Sequence, residues 1–271
     1  MKKANSLALR TLSGAMLTLV LVGCLFMGWE KYLALVMSAG AIFELNKALY
    51  PTAKSMSVLS GILAAALVAV TFVWGTAYLP LALAAGLIVV FAGGMLLGHA
   101  ALEPYMKGLL GFIYPALPLC FLVLTLAFAD RKMALLAFVS NIVLVSIADM
   151  AAYFVGRALG RRKLCPEISP HKTVAGALGA VAFAVLFGYI VSLIAPLFGI
   201  TIPFWHYLIL GGICGVISQF GDLTASIIKR GVGLKDYASI LPGMGGLLDR
   251  IDGILFCAVP VYVYFLYVLH C

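Results

Sequence analysis

The chain has 271 residues, of which 64% are hydrophobic and only 10% are charged. A soluble domain of this length could not cover so much apolar surface, so the composition excludes a soluble protein and predicts an integral membrane protein. The net charge of +8 indicates an anionic partner, but the basic residues are dispersed between apolar runs, which argues against nucleic acid. Several runs of about 18 or more residues lack charge, which favours membrane-spanning helices over a β-barrel.

The N-terminus combines a short basic segment, MKKANSLALR, with an apolar run from Leu12 to Trp29. A secretory signal is one interpretation, since Leu21-Val22-Gly23-Cys24 resembles a lipoprotein cleavage box. No polar mature domain follows Cys24, and a second apolar run begins almost at once. We therefore predict that the first run is a membrane helix.

Eight further apolar segments follow, most of them with the roughly 20 residues that a helix needs to cross a bilayer. Only Glu30 and Lys31 separate the first two spans, which predicts a tight helical hairpin. Pro115 and Pro118 predict a kink in the fifth span, which neighbouring helices can tolerate. The predicted fold is an all-α integral membrane protein, a polytopic bundle of about nine transmembrane helices, with eight as the alternative count. The eight segments run over residues 32–49, 56–75, 78–98, 106–128, 133–158, 173–198, 204–228 and 249–269.

The distribution of basic residues predicts the orientation. With nine spans and a cytoplasmic N-terminus, 15 of the 18 Lys and Arg residues fall in cytoplasmic segments, and only Lys31, Arg131 and Lys132 fall outside. Membrane proteins carry such an excess of positive charge on their cytoplasmic loops, so we predict a cytoplasmic N-terminus. The same map brings carboxylates from distant segments to the inner ends of their spans: Glu44, Asp149, Asp222, Asp249 and Asp252.

The polar residues divide the chain into two expected parts. Residues 1–130 would form about five N-terminal transmembrane helices. Residues 131–271 would form the catalytic transmembrane helices, with cytoplasmic loops at 157–172 and 229–248. Charge at the edge of an apolar span is costly, so its concentration in the second part points to a functional site there.

The first polar feature is a stripe on the eighth span. Asp222, Ser226 and Lys229 stand at i, i+4 and i+7, which places them on one helix face, with Arg230 beside them. A carboxylate, a hydroxyl and two cations can together hold a metal and the phosphate oxygens around it. The alternative is a structural Asp–Lys pair at a helix end, with basic side chains that extend to the interface.

The second polar feature opens the ninth span. Asp249 and Asp252 stand at i and i+3, so they share a helix face, with Arg250 between them. One or two carboxylates, with substrate phosphates and water, are how proteins usually hold Mg²⁺, and a helix N-terminus also suits anions. Ordinary helix capping explains one acid readily and two less well. The preceding Gly243-Met244-Gly245-Gly246 lets a ligand approach the backbone closely, although it could be an ordinary turn.

The third polar feature is the loop after the sixth span. Arg157 and the run Arg161–Lys163 either enforce the orientation or contact anionic headgroups. Ser169–Thr173, SPHKT, is predicted to be a rigid turn that could bind a nucleotide phosphate, with His171 as a solvated loop residue. No GxSxG, HExxH or Walker A pattern occurs. Asp, Lys, Arg, Ser and Gly together indicate metal and phosphate chemistry.

These motifs resemble a known family. Ser226–Asp252 is similar to the signature of the phosphatidate cytidylyltransferase (CDP-diglyceride synthase) family, S-x-x-K-R-x4-K-D-x5-P-G-H-G-G-x-x-D-R-x-D. Every fixed position matches except Met244, where the family commonly has His. Asp149–Arg157 resembles the family's D-x-x-A-Y-x-x-G-(R/K), and Ser169–Thr173 resembles its S-P-x-K-T, with Ala175 where a Glu often stands.

The resemblance implies the reaction of CTP with phosphatidate to give CDP-diacylglycerol and pyrophosphate, a Mg²⁺-dependent step of phospholipid synthesis. It implies a multi-pass protein of the inner (plasma) membrane whose active site faces the cytoplasm, with a homodimer as the suggested assembly. Mg²⁺ is the expected cofactor, and a second cation is left open. Met244 argues against a mechanism that needs a His acid at that point.

Carried over residue by residue, the motifs give three groups of expected site residues. The catalytic group is Asp222, Lys229, Arg230, Asp249, Arg250 and Asp252. The substrate-binding group is Ser169, Lys172, Thr173, Ser226, Lys235, Asp236, Gly245 and Gly246. The metal ligands are expected among Asp149, Asp222, Asp249 and Asp252.

Three alternatives stay open at this point. A CTP-dependent lipid or polyprenol kinase would share the metal and nucleotide chemistry but release CDP. A CDP-alcohol phosphotransferase is disfavoured because its D-G-x2-A-R-x8-G-x3-D-x3-D pattern is absent. A transporter would need charges near the bilayer midplane and repeated halves, neither of which is evident.

Overall fold

The computed structural model describes residues 2–50, 54–238 and 245–271, and side chains from residue 14 onward. Within these residues the chain forms nine α-helices, one 3-10 turn at Ala195–Phe198 and a two-stranded hairpin. The strands are β1 (Lys163–Cys165) and β2 (Ser169–Thr173). The helices are α1 (Lys2–Met27), α2 (Glu30–Leu49), α3 (Lys54–Trp74), α4 (Leu79–Leu96), α5 (Leu102–Thr125), α6 (Arg131–Leu159), α7 (Val174–Ile194), α8 (Phe204–Gly231) and α9 (Leu248–Tyr267).

The predicted fold class is confirmed. In the described part of the chain, the eight helices α2 to α9 are long and apolar enough to cross a membrane, the span of α7 extending through the 3-10 turn. In α1 the segment whose side chains are described, Gly14–Met27, is apolar but shorter. The chain is therefore an all-α polytopic membrane protein. The cytoplasmic N-terminus stays a prediction.

The hairpin between the first two helices differs from the prediction in its turn. Glu30 and Lys31, expected to separate the spans, are the first two residues of α2, and Glu30 is buried. The turn is instead made by Gly28 and Trp29, where Gly28 takes a φ of 74°. This left-handed glycine ends α1. The turn lets the Trp29 N–H donate to Cys24 O at 2.8 Å, which satisfies a carbonyl in the last turn of the helix.

The chain packs into two compact units. The first comprises Met1–Leu124 and Val232–Ile251, and the second comprises Thr125–Gly231 and Asp252–Cys271. The first unit thus holds α1 to α5 and the start of α9, and the second holds α6 to α8, the β-hairpin and the rest of α9. The predicted assignment of catalysis to residues 131–271 stays a prediction.

Inside the first unit, a buried amide joins three helices. Asn46 in α2 donates to Gly111 O in α5 at 3.1 Å, and its side-chain oxygen accepts from the hydroxyl of Ser60 in α3. Polar side chains inside an apolar bundle need such partners, and the bonds also fix the register of the helices.

Inside the second unit, α6, α7 and α8 pack closely because small residues face one another. A Cβ added at Gly211 in α8 would come within 2.5 Å of Ala184 O in α7. Ala148, Ala180 and Ala184 form a fully buried cluster at the contact of these helices. Small side chains let helix backbones approach each other, which is how membrane helices gain packing energy.

The predicted turn at Ser169–Thr173 is wrong, because these residues form strand β2. Lys163 pairs with Thr173 and Cys165 pairs with Ser169 in the antiparallel hairpin. The turn lies at the residues between the strands, where the Ile168 N–H donates to Cys165 O at 3.2 Å. Pro170 is tolerated in β2 because a two-stranded hairpin leaves one side of each strand without ladder bonds. Cross-strand pairing leaves no trace in hydropathy, so the sequence did not indicate it.

Candidate functional site

Close packing in the second unit explains how the predicted acids meet. Gly221 in α8 faces the backbone of α9, and a Cβ there would come within 2.5 Å of Asp252 O. Gly253 in α9 faces α6, and a Cβ there would lie 3.0 Å from Val145 Cγ1. The two glycines therefore let α6, α8 and α9 approach at the level of the acid residues of these helices.

At this level Asp252 interacts with predicted acids from two other helices. Asp252 in α9 is only 6% exposed, and its Oδ1 accepts from the N–H of Gly253 at 2.7 Å. Its carboxylate interacts electrostatically with Asp222 of α8, Asp149 of α6 and Lys229 of α8. We call Asp149, Asp222 and Asp252 the aspartate cluster. The sequence predicted that these acids share a depth, and the fold brings them together laterally.

Asp222 also joins the β-hairpin to α8. Its Oδ2 lies 2.7 Å from Lys172 Nζ in β2, with side-chain exposures of 39% and 23%. The Ser226 hydroxyl donates to Asp222 Oδ1 over a long 3.5 Å. A half-exposed ion pair contributes up to about 1 kcal/mol to stability, so its main effect is to place Lys172 beside the aspartate cluster. Strand β2 thus supplies a cation beside the cluster, and the contact of Lys172 with a nucleotide phosphate stays a prediction.

The other predicted residues of the second unit take different positions. Ser169 is half-buried in β2, whereas Thr173 is buried and its hydroxyl oxygen accepts from the N–H of Gly176 as the N-cap of α7. The Thr173 side chain therefore has a structural role, and its predicted substrate contact stays a prediction. Lys229 is half-buried and Arg230 is exposed in the last turn of α8. The negative end of the helix dipole stabilises positive charges at this position.

In the first unit, Asp249 organises the segment that carries the glycines. Its Oδ2 accepts from the N–H groups of Gly246 and Tyr237, both at 3.0 Å. Gly245 has a φ of 87°, a backbone conformation that other residues rarely adopt. The Gly246 N–H is thus already bonded to Asp249, and the predicted phosphate contacts of Gly245 and Gly246 stay a prediction based on their lack of side chains.

The remaining predicted residues of the first unit lie at its surface or outside the described residues. Lys235 and Asp236 are exposed in the connection after α8, and Arg250 is exposed in the first turn of α9. Gly243 and Met244 lie outside the described residues. The departure from the family pattern at Met244 therefore has no structural account.

Glu44 is absent from the predicted site, yet it binds the same segment. It is 1% exposed in α2, and its Oε1 and Oε2 accept from the N–H groups of Leu247 and Leu248, each at 2.8 Å. These N–H groups belong to the N-terminus of α9, where the sequence indicates a site suited to an anion, and here the anion is the Glu44 carboxylate. The sequence signal was a lone acid near the end of an apolar span, but hydropathy does not reveal its partner.

The aspartate cluster suits a hard cation. No group of three His, Cys, Asp or Glu side chains that could hold a metal by itself occurs in the described ranges 14–50, 54–238 and 245–271. Mg²⁺ does not need one, since it is usually held by one or two carboxylates together with substrate phosphates and water. Two like charges, Asp222 and Asp252, interact in a partly buried setting, which is costly unless cations neutralise them. Lys172 and Lys229 supply part of that positive charge, and the Mg²⁺ expected at this cluster stays a prediction.

Comparison with known proteins identifies the family. The model of the cytidylyltransferase family matches residues 8–268. The chain belongs to the cytidylyltransferase family. This confirms the resemblance that the motifs indicated and extends it from the C-terminal half to nearly the whole chain.

Relatives of this cytidylyltransferase-family chain carry a more specific name. It is 45% identical over 124 residues to the phosphatidate cytidylyltransferase of Bacillus subtilis, which covers 46% of this chain and 44% of that protein. It is 42% identical over 144 residues to the phosphatidate cytidylyltransferase of Brucella suis, and the match covers 53% of this chain and 52% of that protein. The Haemophilus influenzae enzyme is 43% identical over 128 residues, with 45% and 43% covered. The chain thus spans about half the length of the curated relatives it matches.

Proposed function

We propose that the protein is a phosphatidate cytidylyltransferase, which converts CTP and phosphatidate into CDP-diacylglycerol and pyrophosphate. Family membership and the names of the relatives support the reaction class. The observation that carries the proposal is the aspartate cluster with Lys172 and Lys229, in which residues from α6, β2, α8 and α9 converge. Carboxylates that hold a metal ion and amines that bind phosphate are the groups that proteins use to bind the metal complex of a nucleoside triphosphate.

Asp222 and Asp252 are the residues that would hold Mg²⁺, with Asp149 beside them and Asp249 as a further predicted ligand. Bound Mg²⁺ would neutralise phosphate charge and make pyrophosphate a better leaving group, and a second cation would act in the same sense. The half-exposed carboxylate of Asp222 is accessible to a ligand, whereas buried Asp252 suits a fixed position.

The cationic side chains would bind the triphosphate and the lipid phosphate. Lys172 of β2 is held beside Asp222 of α8. Lys229 and Arg230 follow Asp222 in α8. Lys235 and Arg250, both exposed, would meet further phosphate oxygens. Arg and Lys stabilise the charge that spreads over a transferring phosphoryl group, so these residues act mainly by charge and orientation.

The bond changes need no dedicated base. An oxygen of the phosphatidate phosphate forms a bond to the α-phosphorus of CTP, and the bond from that phosphorus to the oxygen bridging to the β-phosphorus breaks. Pyrophosphate leaves with the electron pair. The attacking phosphate is already ionised at neutral pH, so a chain with Met244 in place of a His acid can still catalyse the transfer.

The membrane arrangement suits these two substrates. CTP is dissolved in the cytosol, and phosphatidate presents its phosphate at the membrane surface. The predicted positive-inside orientation places the aspartate cluster at the cytoplasmic ends of α6, α8 and α9. We propose that the enzyme lies in the inner membrane with its site open to the cytoplasm, and the suggested homodimer belongs to the same proposal.

The test follows the label of CTP into lipid. Purified protein with phosphatidate and Mg²⁺ should transfer ³²P from α-labelled CTP into a liponucleotide, and none from γ-labelled CTP. Asp252→Asn should lower this rate by about 100-fold, because it removes a charge that acts on the transition state. Asp130→Asn is the matched control: the same change at the N-cap of α6, on the predicted outer side, should leave the rate unchanged. Transfer of the γ-label alone would identify a lipid kinase and overturn the proposal.

A further inference from the structure

A carboxylate from α2 caps the N-terminus of α9. Each oxygen of Glu44 accepts one backbone N–H, from Leu247 and from Leu248, at 2.8 Å. Helix N-termini present such N–H groups without partners in the helix, and they are usually satisfied by the residue just before the helix. Here that residue is Leu247, which has no side-chain acceptor. Glu44, more than 200 positions away in sequence, takes its place.

The burial of Glu44 shows that this contact is specific. An acid that is 1% exposed inside an apolar span is costly unless hydrogen bonds satisfy its oxygens. The partial positive charge at the start of α9 suits a carboxylate at this position. Both oxygens are used, in a fork that a neutral side chain cannot reproduce.

The same contact reaches the segment around Asp249. A Cβ at Gly246 would come within 2.5 Å of Glu44 Oε2, so only a glycine allows the acid to lie against the backbone. Asp249 Oδ2 binds the N–H groups of Gly246 and Tyr237. Two carboxylates therefore hold four backbone N–H groups of the segment that carries Asp249.

We propose that Glu44 is a positioning residue: it fixes the start of α9 and thereby the orientation of Asp249, without touching a substrate. The inference rests on the proposed function for its kinetic consequence, since Asp249 is a predicted catalytic residue. It goes beyond that function, because nothing in the signature from Ser226 to Asp252 includes α2.

The test is Glu44→Gln. Glutamine has one acceptor oxygen and one NH₂ group, so one of the two N–H groups loses its acceptor and faces a donor. We expect kcat to fall by about 100-fold, the size of effect that a misplacement of about 1 Å produces. The KM for CTP should change much less, because the cations that bind the phosphates are intact. Hydrogen exchange of the peptide that includes Leu247 and Leu248 should accelerate.

Two further variants separate positioning from stability. Glu30→Gln removes another acid of α2 that is also 1% exposed; it should lower the melting temperature without a comparable fall in kcat and without faster exchange at Leu247 and Leu248. Leu247→Asp in the Glu44→Gln background tests helix capping in general: its carboxylate can accept from the N–H groups of residues 249 and 250 but not from those of Leu247 and Leu248, so it should not restore kcat.

The proposal is overturned if Glu44→Gln keeps its kcat, or if the hydrogen exchange at Leu247 and Leu248 is unchanged in this variant. A parental protein that makes no liponucleotide would refute the proposed function instead. In that case the exchange measurement alone still decides whether Glu44 caps α9, since it requires no substrate.

Discussion

The aspartates of this protein have similar motif positions but different environments. Asp222 is half-exposed beside Lys172, and Asp252 is buried beside like charges. Asp249 accepts two backbone N–H groups with a single carboxylate oxygen. The sequence assigned all of them to metal or catalysis without distinction. Their surroundings now distinguish a proposed metal ligand that solvent can reach, a buried proposed ligand, and a residue that orders its own segment.

The positive charge of Lys172 should matter more for the binding of CTP than for the stability of the fold. Lys172→Met removes the ion pair with Asp222, and the melting temperature should change little because a half-exposed pair contributes up to about 1 kcal/mol. The KM for CTP should nevertheless rise by about tenfold, since one charge-assisted bond to phosphate is worth about 1.4 kcal/mol or more. Steady-state kinetics on detergent-solubilised protein measure this.

The matched control is Lys107→Met. Lys107 forms an ion pair of the same length, 2.7 Å, with Glu103 one helical turn away in α5. Its loss should alter neither the melting temperature nor the KM for CTP. An equal effect of the two variants on KM would mean that Lys172 binds no nucleotide and that its pair with Asp222 is structural.

At the scale of elements, hydropathy predicted the helices and missed the contacts. The segments at 32–49 and 204–228 agree with α2 and α8 to within a few residues, because the bilayer demands long apolar runs. Hydropathy indicates a loop and a turn at 163–173, where the structure has the β-hairpin, because the hairpin is stabilised by backbone pairing. Glu44 was placed at the correct helix end but without its partner, because a contact between distant segments depends on packing that periodicity does not encode.

The glycines between helices give a prediction at this scale. Gly221→Ala adds a methyl group that would lie 2.5 Å from Asp252 O. This oxygen belongs to the backbone and cannot rotate away. α8 and α9 must then move apart, at a cost of about 1–3 kcal/mol. We expect a lower melting temperature and a loss of activity larger than the loss of folded protein, because the aspartate cluster spans this contact.

Gly212→Ala, in the same helix, is the control. A Cβ there would meet only Val185 Cγ2 at 3.9 Å, an ordinary contact. Thermal unfolding should show no loss of stability for this variant, and a helix-interior alanine could raise it slightly. Equal destabilisation by both substitutions would contradict the close approach at Gly221.

At the scale of the whole molecule, the charge distribution predicts which face of the membrane holds the site. The β-hairpin and the C-terminal end of α8 carry clusters of Lys and Arg, whereas the connection between α7 and α8, residues 199–203, carries none. Positive loops stay in the cytoplasm during insertion, so the hairpin should be cytoplasmic and the 199–203 connection should face outward. Fold and family membership do not decide this orientation.

Single cysteines in a variant whose six native cysteines are replaced by alanine test the orientation. Thr201→Cys should react with a membrane-impermeant maleimide in intact spheroplasts, because Thr201 is exposed in the outward connection. Glu167→Cys, which is also at an exposed position, in the turn of the hairpin, should react only after the membrane is permeabilised. The opposite labelling would place Lys172 and the aspartate cluster on the outer face, where CTP is absent, and would be incompatible with the proposed reaction.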